Sequence, residues 1–277
     1  MHVSLDSALG RQRRLNSVGE SVLQIAPNAA AAYSLRSLTG GDPKVVRVRR
    51  DTDGGAGDND EQDFTASGIS SGALVAFVGS GNDGFVETWY DQSGNSEDAV
   101  QETAGSQPKI VNAGDLVVLS GVPALSFDGS FFAATGFAFS PSGDFLAVTV
   151  SKISTGNLID TRDGGSDGLF IQQGSSDVRY RYNGDGSIDV SGNNQHIIST
   201  VELNGTTLTA YKDGSSAGTD TVTAGLSTTE ALSIGKVAFS SANTVSGSVQ
   251  EVILYATDKS ANRVALETNI NSHYSIF

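Results

Sequence analysis

The sequence is poor in residues that carry redox chemistry and in long apolar runs. It has no cysteine and one tryptophan, and aromatic residues make up only 7% of its 277 positions. The absence of cysteine excludes disulfide bonds and thiolate metal ligands. No run of eighteen apolar residues exists, and arginines interrupt the N-terminal segment where a signal peptide needs an apolar core. We therefore predict neither membrane insertion nor a signal peptide.

Charge is distributed unevenly along a chain whose total is −14. Residues 1–50 hold eight basic and three acidic side chains, whereas the remainder holds nine and twenty-eight. An acidic body repels nucleic acid, so no nucleic-acid partner is expected. We interpret residues 1–28 as a docking arm and 29–277 as the main domain. Within the arm, residues 1–27 would contact partner proteins through Arg11, Arg13 and Arg14. The alternative for these basic residues is a solvated helix face.

Short apolar runs bounded by turn signals, together with 33 glycines, are typical of an all-β protein. Asn-Gly or Asp-Gly pairs at 183–184, 204–205 and 213–214 predict tight hairpins. The pattern predicts an antiparallel β-sandwich after an N-terminal helical or extended arm, with one late helix at 260–271. The run at 73–78 suits a short helix or a buried strand. The main predicted strands are 45–50, 85–90, 168–172, 178–182, 196–203, 206–212, 231–234 and 248–255.

The segment 88–95 joins an apolar strand to a polar turn and contains the single tryptophan. An aromatic ring beside amide and carboxylate groups can hold a sugar through stacking and hydroxyl contacts. The alternative is that Trp89 fills the core and Asp91 caps the turn through neighbouring N–H groups. The candidate carbohydrate-binding residues are Trp89, Tyr90, Asp91, Gln92 and Asn95.

The sequence offers little for metal or cofactor binding. The acidic loop 51–63 fails the EF-hand template, because Ala56 and Gln62 stand where the template needs glycine and glutamate. We predict a solvated loop there, and calcium binding stays open. The histidines at 2, 196 and 273 are too scattered to indicate a metal cluster or a catalytic triad. No metal and no cofactor are expected.

Several blocks resemble known families. Those at 203–205, 211–214, 232–235 and 247–255 are similar to the second half of concanavalin A-like and laminin-G-like jelly rolls. Those at 32–36, 46–50, 85–94 and 107–111 resemble the catalytic domain of α-L-arabinofuranosidase B, and similar blocks occur in bacteriophage particles. The resemblance implies a concanavalin A-like jelly-roll sandwich.

The arabinofuranosidase resemblance also implies a pair of catalytic carboxylates. It places the acid/base aspartate directly after the Ile234-Gly235 pair, where this chain has Lys236. It places the nucleophilic glutamate in a central block, yet residues 145–186 contain no glutamate. The family's cysteines are also missing. We therefore predict that glycoside hydrolysis has been lost.

Together these observations predict a phage virion structural protein, such as a tail, fibre or capsid-decoration protein. It would display a carbohydrate-binding jelly roll towards cell-surface glycans and be anchored through its arm. It would be made in the host cytoplasm and be present as a homo-oligomer or in many copies, which turns weak sugar contacts into avidity. The alternatives are a glycoside hydrolase of the α-L-arabinofuranosidase type and a structural sandwich without a ligand.

Overall fold

The computed structural model describes residues 19–52, 60–134, 136–164, 167–223, 225–226 and 228–277. In this part of the chain the helices are α1 (Val22–Ile25), α2 (Ala66–Ser70), α3 (Ala73–Val78), α4 (Ser260–Tyr274) and a 3-10 turn at Ala104–Ser106. The first strands are β1 (Ala31–Ser34), β2 (Lys44–Asp51), β3 (Glu61–Thr65), β4 (Asp83–Trp89), β5 (Ala99–Val100), β6 (Lys109–Asn112), β7 (Asp115–Leu116), β8 (Val118–Leu119), β9 (Val122–Pro123) and β10 (Leu125–Asp128). The later strands are β11 (Phe132–Ala134), β12 (Phe145–Asp160), β13 (Leu169–Gln173), β14 (Asp177–Tyr182), β15 (Gly186–Ser191), β16 (Ile197–Asn204), β17 (Thr207–Lys212), β18 (Ser215–Thr221), β19 (Leu232–Ile234) and β20 (Ser246–Tyr255).

The prediction of a mainly β protein with antiparallel pairing is confirmed. At two of the three predicted hairpins both residues of the pair adopt left-handed backbone, with φ of 49° and 72° at Asn183 and Gly184 and 52° and 76° at Asp213 and Gly214. Such angles match the twist of the flanking strands. The ambiguous run at 73–78 is the helix α3, which buries Leu74 and Val78 on one face.

Eight strands pair in a closed ring. Going round it, β20 pairs with β10, then β6, β4, β5, β11, β19 and β12, and β12 pairs with β20 again. Two joints are narrow, since β10–β6 and β5–β11 each pair through one residue couple. The predicted concanavalin A-like jelly-roll topology is not confirmed, because these joints link the strands into a ring.

The two ends of the long strand β12 pair with different strands. Its first half lies between β16 and β20, and its last residues lie between β13 and β19. Register shifts between Val150 and Ser151 and between Ile153 and Thr155 bend the strand between these halves. Gly156 then has φ +100°, and a Cβ there would overlap the carbonyl group of Thr244. A residue without a side chain is therefore required at this crossing.

Two hydrophobic cores lie on opposite faces of the same strands. Along β20, Val252 and Leu254 belong to the larger core, which also contains Trp89. Ile253 and Tyr255 point into a second core that includes residues of α1 and α4. Burial on both faces explains why the end of this strand, residues 252–255, is a continuous apolar run.

The described part of the predicted arm, residues 19–28, packs against α4. Val22 and Ala26 are fully buried in the second core. Asn262 and Asn269 of α4 each donate a side-chain hydrogen bond of 2.8 Å to a carbonyl group of this segment. Arg11, Arg13 and Arg14 lie outside the described residues, so docking through them stays a prediction. Among the described helices none has the length and apolarity needed to cross a bilayer.

Candidate functional site

Trp89 of the predicted sugar-binding segment is part of the core. Its exposed fraction is 0%, and its ring lies 5.7 Å from that of Tyr33 and 6.0 Å from that of Phe132. An indole ring without an exposed face cannot stack on a sugar. This corrects the predicted role of Trp89 as a binding residue and supports the alternative in which it fills the core.

Asp91 organises the turn that follows β4. Its Oδ1 accepts hydrogen bonds from the N–H groups of Ala32 (2.8 Å) and Ser93 (2.9 Å). Its Oδ2 accepts from the Ser93 hydroxyl (2.6 Å) and the Glu97 N–H (3.2 Å). Both oxygens are therefore engaged within the protein, as the turn-capping alternative expects.

Gln92 and Asn95 bind the backbone of neighbouring segments. Gln92 is buried, and its Oε1 accepts from the Leu38 N–H at 2.8 Å. Its Nε2 donates to the carbonyl groups of Ser34 (3.1 Å) and Arg36 (3.0 Å). Asn95 donates to two carbonyl groups that precede β1. These amides fix the turn to the first strand, which leaves little of them for a ligand.

Tyr90 is the one residue of the five with a partly exposed aromatic ring. Its hydroxyl donates to Asp63 at 2.8 Å, and the ammonium group of Lys44 lies 6.0 Å from its ring centre. Burial and the nearby Asp63 carboxylate raise the pKa of Tyr90 to about 12, so it stays neutral at physiological pH. Sugar binding by this segment remains a prediction that depends mainly on Tyr90.

A different part of the surface forms an open cleft of about 730 Å³. The ring centre of Phe85, one of its lining residues, lies 5.0 Å from the guanidinium of Arg49 and 5.4 Å from the ammonium of Lys109. Lys109 donates to Asp83 (2.6 Å) and Asn112 (3.0 Å), so its charge is neutralised. The cleft is lined by Phe85, Gly105, Gln107, Lys109, Asn112, Ala113, Asp115, Leu116, Val117, Val118, Ser126, Asp128 and Ser130.

The cleft combines the groups that recognise neutral polar ligands. Asp115, Asp128 and Asn112 are exposed, and hydroxyl groups come from Ser126 and Ser130. Carboxylates accept and amides both accept and donate hydrogen bonds, so the set matches a ligand with many hydroxyl groups. Asp115 and Asp128 both line the cleft, as a glycosidase would require of its two carboxylates.

Phe131, which follows the cleft residue Ser130, belongs to a patch of aromatic and cationic side chains. Phe131 lies under the Lys236 ammonium, 4.8 Å from it. Lys236 donates to three carbonyl groups of the following loop, those of Val237, Ala238 and Ser240, at 3.1–3.3 Å. Burial lowers the pKa of Lys236. Lys236, at the position expected for the acid/base residue, therefore stabilises the loop that follows it through hydrogen bonds.

Arg162 completes this patch. Its guanidinium lies 3.8 Å from the ring centre of Phe170 and 5.7 Å from that of Phe239, which is 44% exposed. It pairs with the fully buried Asp160, whose carboxylate also accepts from Asn157 at 2.6 Å. Asp160 is thus fully engaged and presents no free carboxylate to a substrate.

Metal binding finds no support in the described residues, where no group of three or more His, Asp or Glu side chains can hold an ion. The acidic loop 51–63 is only partly described, because residues 53–59 fall outside. Its last members lie on β3 and pair with β2, where Asp63 bonds Lys44 at 2.6 Å and Glu61 bonds Arg47 at 2.8 Å. Calcium binding by the loop stays a prediction.

Comparison with known proteins shows similarity in fold to solved structures but assigns the chain to no family. No family model and no curated protein matches the sequence. A mutant GH54 α-L-arabinofuranosidase soaked with 4-nitrophenyl α-L-arabinofuranoside aligns with a TM-score of 0.62 and 15% identity. An arabinofuranosidase complexed with arabinofuranosyl-α-1,2-xylobiose gives 0.57 and 15%. Each alignment covers 86% of this chain and 62% of the other.

The chain shares its fold with these arabinofuranosidases. The binding domain of Paraclostridial Mosquitocidal Protein 1 is also similar, with a TM-score of 0.50 and 15% identity over 68% of this chain and 50% of that one. At such identities the likeness concerns the fold alone. The chain spans less than two thirds of the length of the arabinofuranosidase chains, and the predicted likeness to phage proteins remains without a match.

The cleft was missed in the sequence because its residues come from separate strands. Phe85 belongs to β4, Lys109 to β6 and Asp128 to β10, and each looks like an ordinary strand or turn residue in its local context. The pairing of β6 with both β4 and β10 brings them together. A local motif could not reveal this grouping.

Proposed function

We propose that the protein is a carbohydrate-binding β module without glycoside hydrolase activity, and that the open cleft around Phe85 and Asp128 is its binding site. The observation that carries this proposal is the cleft itself, which sets one partly buried aromatic ring among exposed amide and carboxylate groups, together with serine hydroxyl groups that are partly or largely buried. Sugar-binding sites need directed hydrogen bonds and an apolar ring face or edge. The fold shared with carbohydrate-active proteins is consistent with it.

A glycan array followed by titration calorimetry tests the proposal. We expect binding of a neutral oligosaccharide, and Asp128→Ala or Asn112→Ala to weaken it about tenfold each, because every lost hydrogen bond to ligand costs about 1 kcal/mol or more. Thr219→Ala, an exposed change on the distant β18, is the matched control and leaves affinity unchanged. Tyr90→Phe tests the segment predicted from the sequence. Silence across host polysaccharides would instead favour a structural protein without a ligand.

Absence of hydrolysis is the second part of the proposal. The position expected for the acid/base carries Lys236, and the nearby Asp160 is buried and paired with Arg162. Neither group can donate a proton to a leaving group in this arrangement. Incubation with 4-nitrophenyl arabinofuranoside is expected to release no nitrophenol above background.

Hydrolysis in the cleft is the alternative, because Asp115 and Asp128 both line it. If these carboxylates catalysed cleavage, Asp115→Asn and Asp128→Asn would each abolish turnover while leaving the fold intact. Turnover that survives Lys236→Ala but disappears with one of these changes would establish the hydrolase and refute the proposal of binding alone.

We further propose that the module is displayed on a bacteriophage particle in many copies, with its basic N-terminal arm docked to other virion proteins. Support comes from the block resemblances and from the contrast between a basic first segment and an acidic body. Multiple copies would raise the avidity of weak sugar contacts. Purified particles probed with an antibody against the protein test this display, and absence from every particle fraction refutes it.

A further inference from the structure

Three polar side chains outside the cleft lining form a chain of hydrogen bonds. Ser120 lies in the turn between β8 and β9, His196 directly precedes β16, and Gln250 lies within β20. The Ser120 Oγ is 3.0 Å from His196 Nδ1, and His196 Nε2 is 2.8 Å from Gln250 Oε1. The order is hydroxyl, imidazole and a third orienting group, which is the arrangement of an activated serine.

The orientation of Gln250 decides which nitrogen of His196 carries the proton. Gln250 is fully buried, and its other terminal atom faces the carbonyl groups of Leu119 (3.3 Å), Val122 (3.1 Å) and Pro123 (3.2 Å). Carbonyl groups only accept, so that atom must be the NH₂ group and Oε1 must face the imidazole.

Because Oε1 can only accept, His196 must donate through Nε2. In the neutral imidazole the other nitrogen, Nδ1, is then unprotonated and accepts the Ser120 hydroxyl proton. Burial lowers the pKa of His196, which keeps the ring neutral at pH 7. The charged groups acting on it are Asp213, which raises the pKa, and Lys152, which lowers it. The tautomer is the one that a general base needs.

The backbone around Ser120 is that of an exposed tight turn. Ser120 has φ +53° and Gly121 has φ +82°, values that a residue with a side chain adopts rarely. The Ser120 side chain is exposed, and within the described chain neither of the two turn N–H groups donates a hydrogen bond. One of these donors belongs to Ser120 itself and the other to the next residue, so both are candidates to bind the oxyanion that develops on the carbonyl oxygen of the substrate.

We propose that Ser120 and His196 form a nucleophile–base pair that acts on small, unhindered carboxylic esters, with Gln250 as a positioning residue. The Ser120 Oγ bonds to the ester carbonyl carbon as its proton passes to His196 Nδ1. The C–O bond to the alcohol breaks, and the alcohol leaves with that proton. A water molecule then gives a proton to Nδ1 and its hydroxyl to the acyl carbon. The bond between that carbon and the Ser120 Oγ breaks, Oγ takes the proton back from Nδ1, and the carboxylic acid is released.

The structure also limits this activity. Gln250 is neutral, so it fixes the tautomer but does not supply the negative charge that stabilises an imidazolium in a serine–histidine–aspartate triad. Ser120 stands on an open turn and does not belong to the cleft at Phe85. The substrate is therefore expected to be an accessible acyl group, and turnover to be slow.

Covalent labelling tests the proposal on the full chain. A fluorophosphonate probe is expected to label the protein, with the adduct located on Ser120 by peptide mass spectrometry, and 4-nitrophenyl acetate is expected to be hydrolysed. Ser120→Ala should remove both. His196→Gln keeps a hydrogen-bonding side chain of similar length and should slow labelling about 100-fold. The wild-type labelling rate should rise with pH as His196 loses its proton and then level off.

Ser96→Ala is the matched control, because Ser96 is also exposed at positive φ (63°) and has no histidine partner among the described residues. It should leave labelling and ester hydrolysis unchanged. Thermal unfolding checks that each variant is folded. Lack of an adduct on Ser120 in the folded wild-type protein, or labelling that is independent of pH, would overturn the proposal and leave the three residues as a lock for the β8–β9 turn.

Discussion

At the scale of single residues, Trp89 contributes to the stability of the core and not to a binding surface. Its ring is buried between Tyr33 and Phe132. We expect Trp89→Ala to lower the free energy of unfolding by about 3–5 kcal/mol, because it leaves a large cavity, and Trp89→Phe to cost less. Chemical denaturation measures both. Since Trp89 is the single tryptophan, its emission should be that of a buried indole and should not shift with bound sugar. A ligand-dependent shift would contradict this assignment.

Substitutions of two aspartates should have opposite effects, one on the stability of the fold and the other on glycan binding. Asp91 accepts four hydrogen bonds inside the protein, whereas Asp128 is exposed in the cleft. Asp91→Ala leaves partly buried N–H donors unpaired and should cost about 2–4 kcal/mol of stability without changing the affinity of the folded protein for a glycan. Asp128→Ala should change stability by less than about 0.5 kcal/mol but weaken binding. Denaturation and calorimetry on the same two variants measure both effects. The opposite result would return the site to the turn after β4.

These two residues also show how far a candidate site can be predicted. The sequence places Trp89 beside Asp91 at a strand end and leaves two interpretations, a sugar platform or a core ring with a turn cap. Burial decides between them, and burial of Trp89 depends on Tyr33 and Phe132, which are distant in the chain. The cleft residue Asp128 shows the converse, because it is the last residue of β10 and gains its neighbours in the cleft only through strand pairing.

At the scale of elements, the crossing of β12 near Gly156 is tightly constrained. Its φ of +100° and the nearby Thr244 carbonyl leave no room for a side chain. Gly156→Ala should destabilise the protein by about 2–4 kcal/mol. Gly164 has the same φ but open space around it, so Gly164→Ala should cost only about 1 kcal/mol. Denaturation of both variants measures the difference, and equal costs would show that backbone angle alone matters.

The elements themselves were largely predictable. Strands with one wet face, such as β14 with Tyr180 and Tyr182 inside and Arg179 and Arg181 outside, follow from alternation alone. The run that forms α3 stayed ambiguous, since six apolar residues fit a buried strand or a helix. Closure of the ring was not predictable, because its narrow joints depend on single residue pairs such as Ser126 with Lys109.

Two partly buried histidines, one beside β16 and one in α4, should make the stability of the protein depend on pH. Burial lowers the pKa of His196, which precedes β16, and of His273 in α4, below the unfolded value of about 6.5. As the pH falls below about 6.5, these histidines bind protons more readily in the unfolded chain than in the folded chain. The free energy of unfolding should therefore fall as pH drops from 7.5 through 6.5 and towards 5. Denaturation midpoints across this range measure it. His196→Gln should reduce the slope, and an unchanged slope would rule that residue out.

At the scale of the whole molecule, the proposed attachment through the N-terminal segment rests on the charge distribution. The body carries most of the acidic side chains, which keeps copies apart in solution, while the first 50 residues are basic. Residues 19–28 nevertheless belong to the body, because Val22 and Ala26 pack into the second core beside α4. The docking segment that we propose is therefore restricted to the residues before Gly19, whereas the sequence alone predicted residues 1–27.

Two deletions use this boundary to separate anchoring from folding. Removal of residues 1–18 should leave the thermal midpoint of the purified protein unchanged but abolish its incorporation into particles. Removal of residues 1–27 also takes away Val22 and Ala26, exposes the second core, and should lower the midpoint by about 5–10 °C, from a loss of about 2–4 kcal/mol. Calorimetry and particle pull-down measure the two effects. Normal incorporation of the shorter deletion would show that the arm does not anchor the module, while an equal loss of midpoint in both would place the start of the folded body before residue 19.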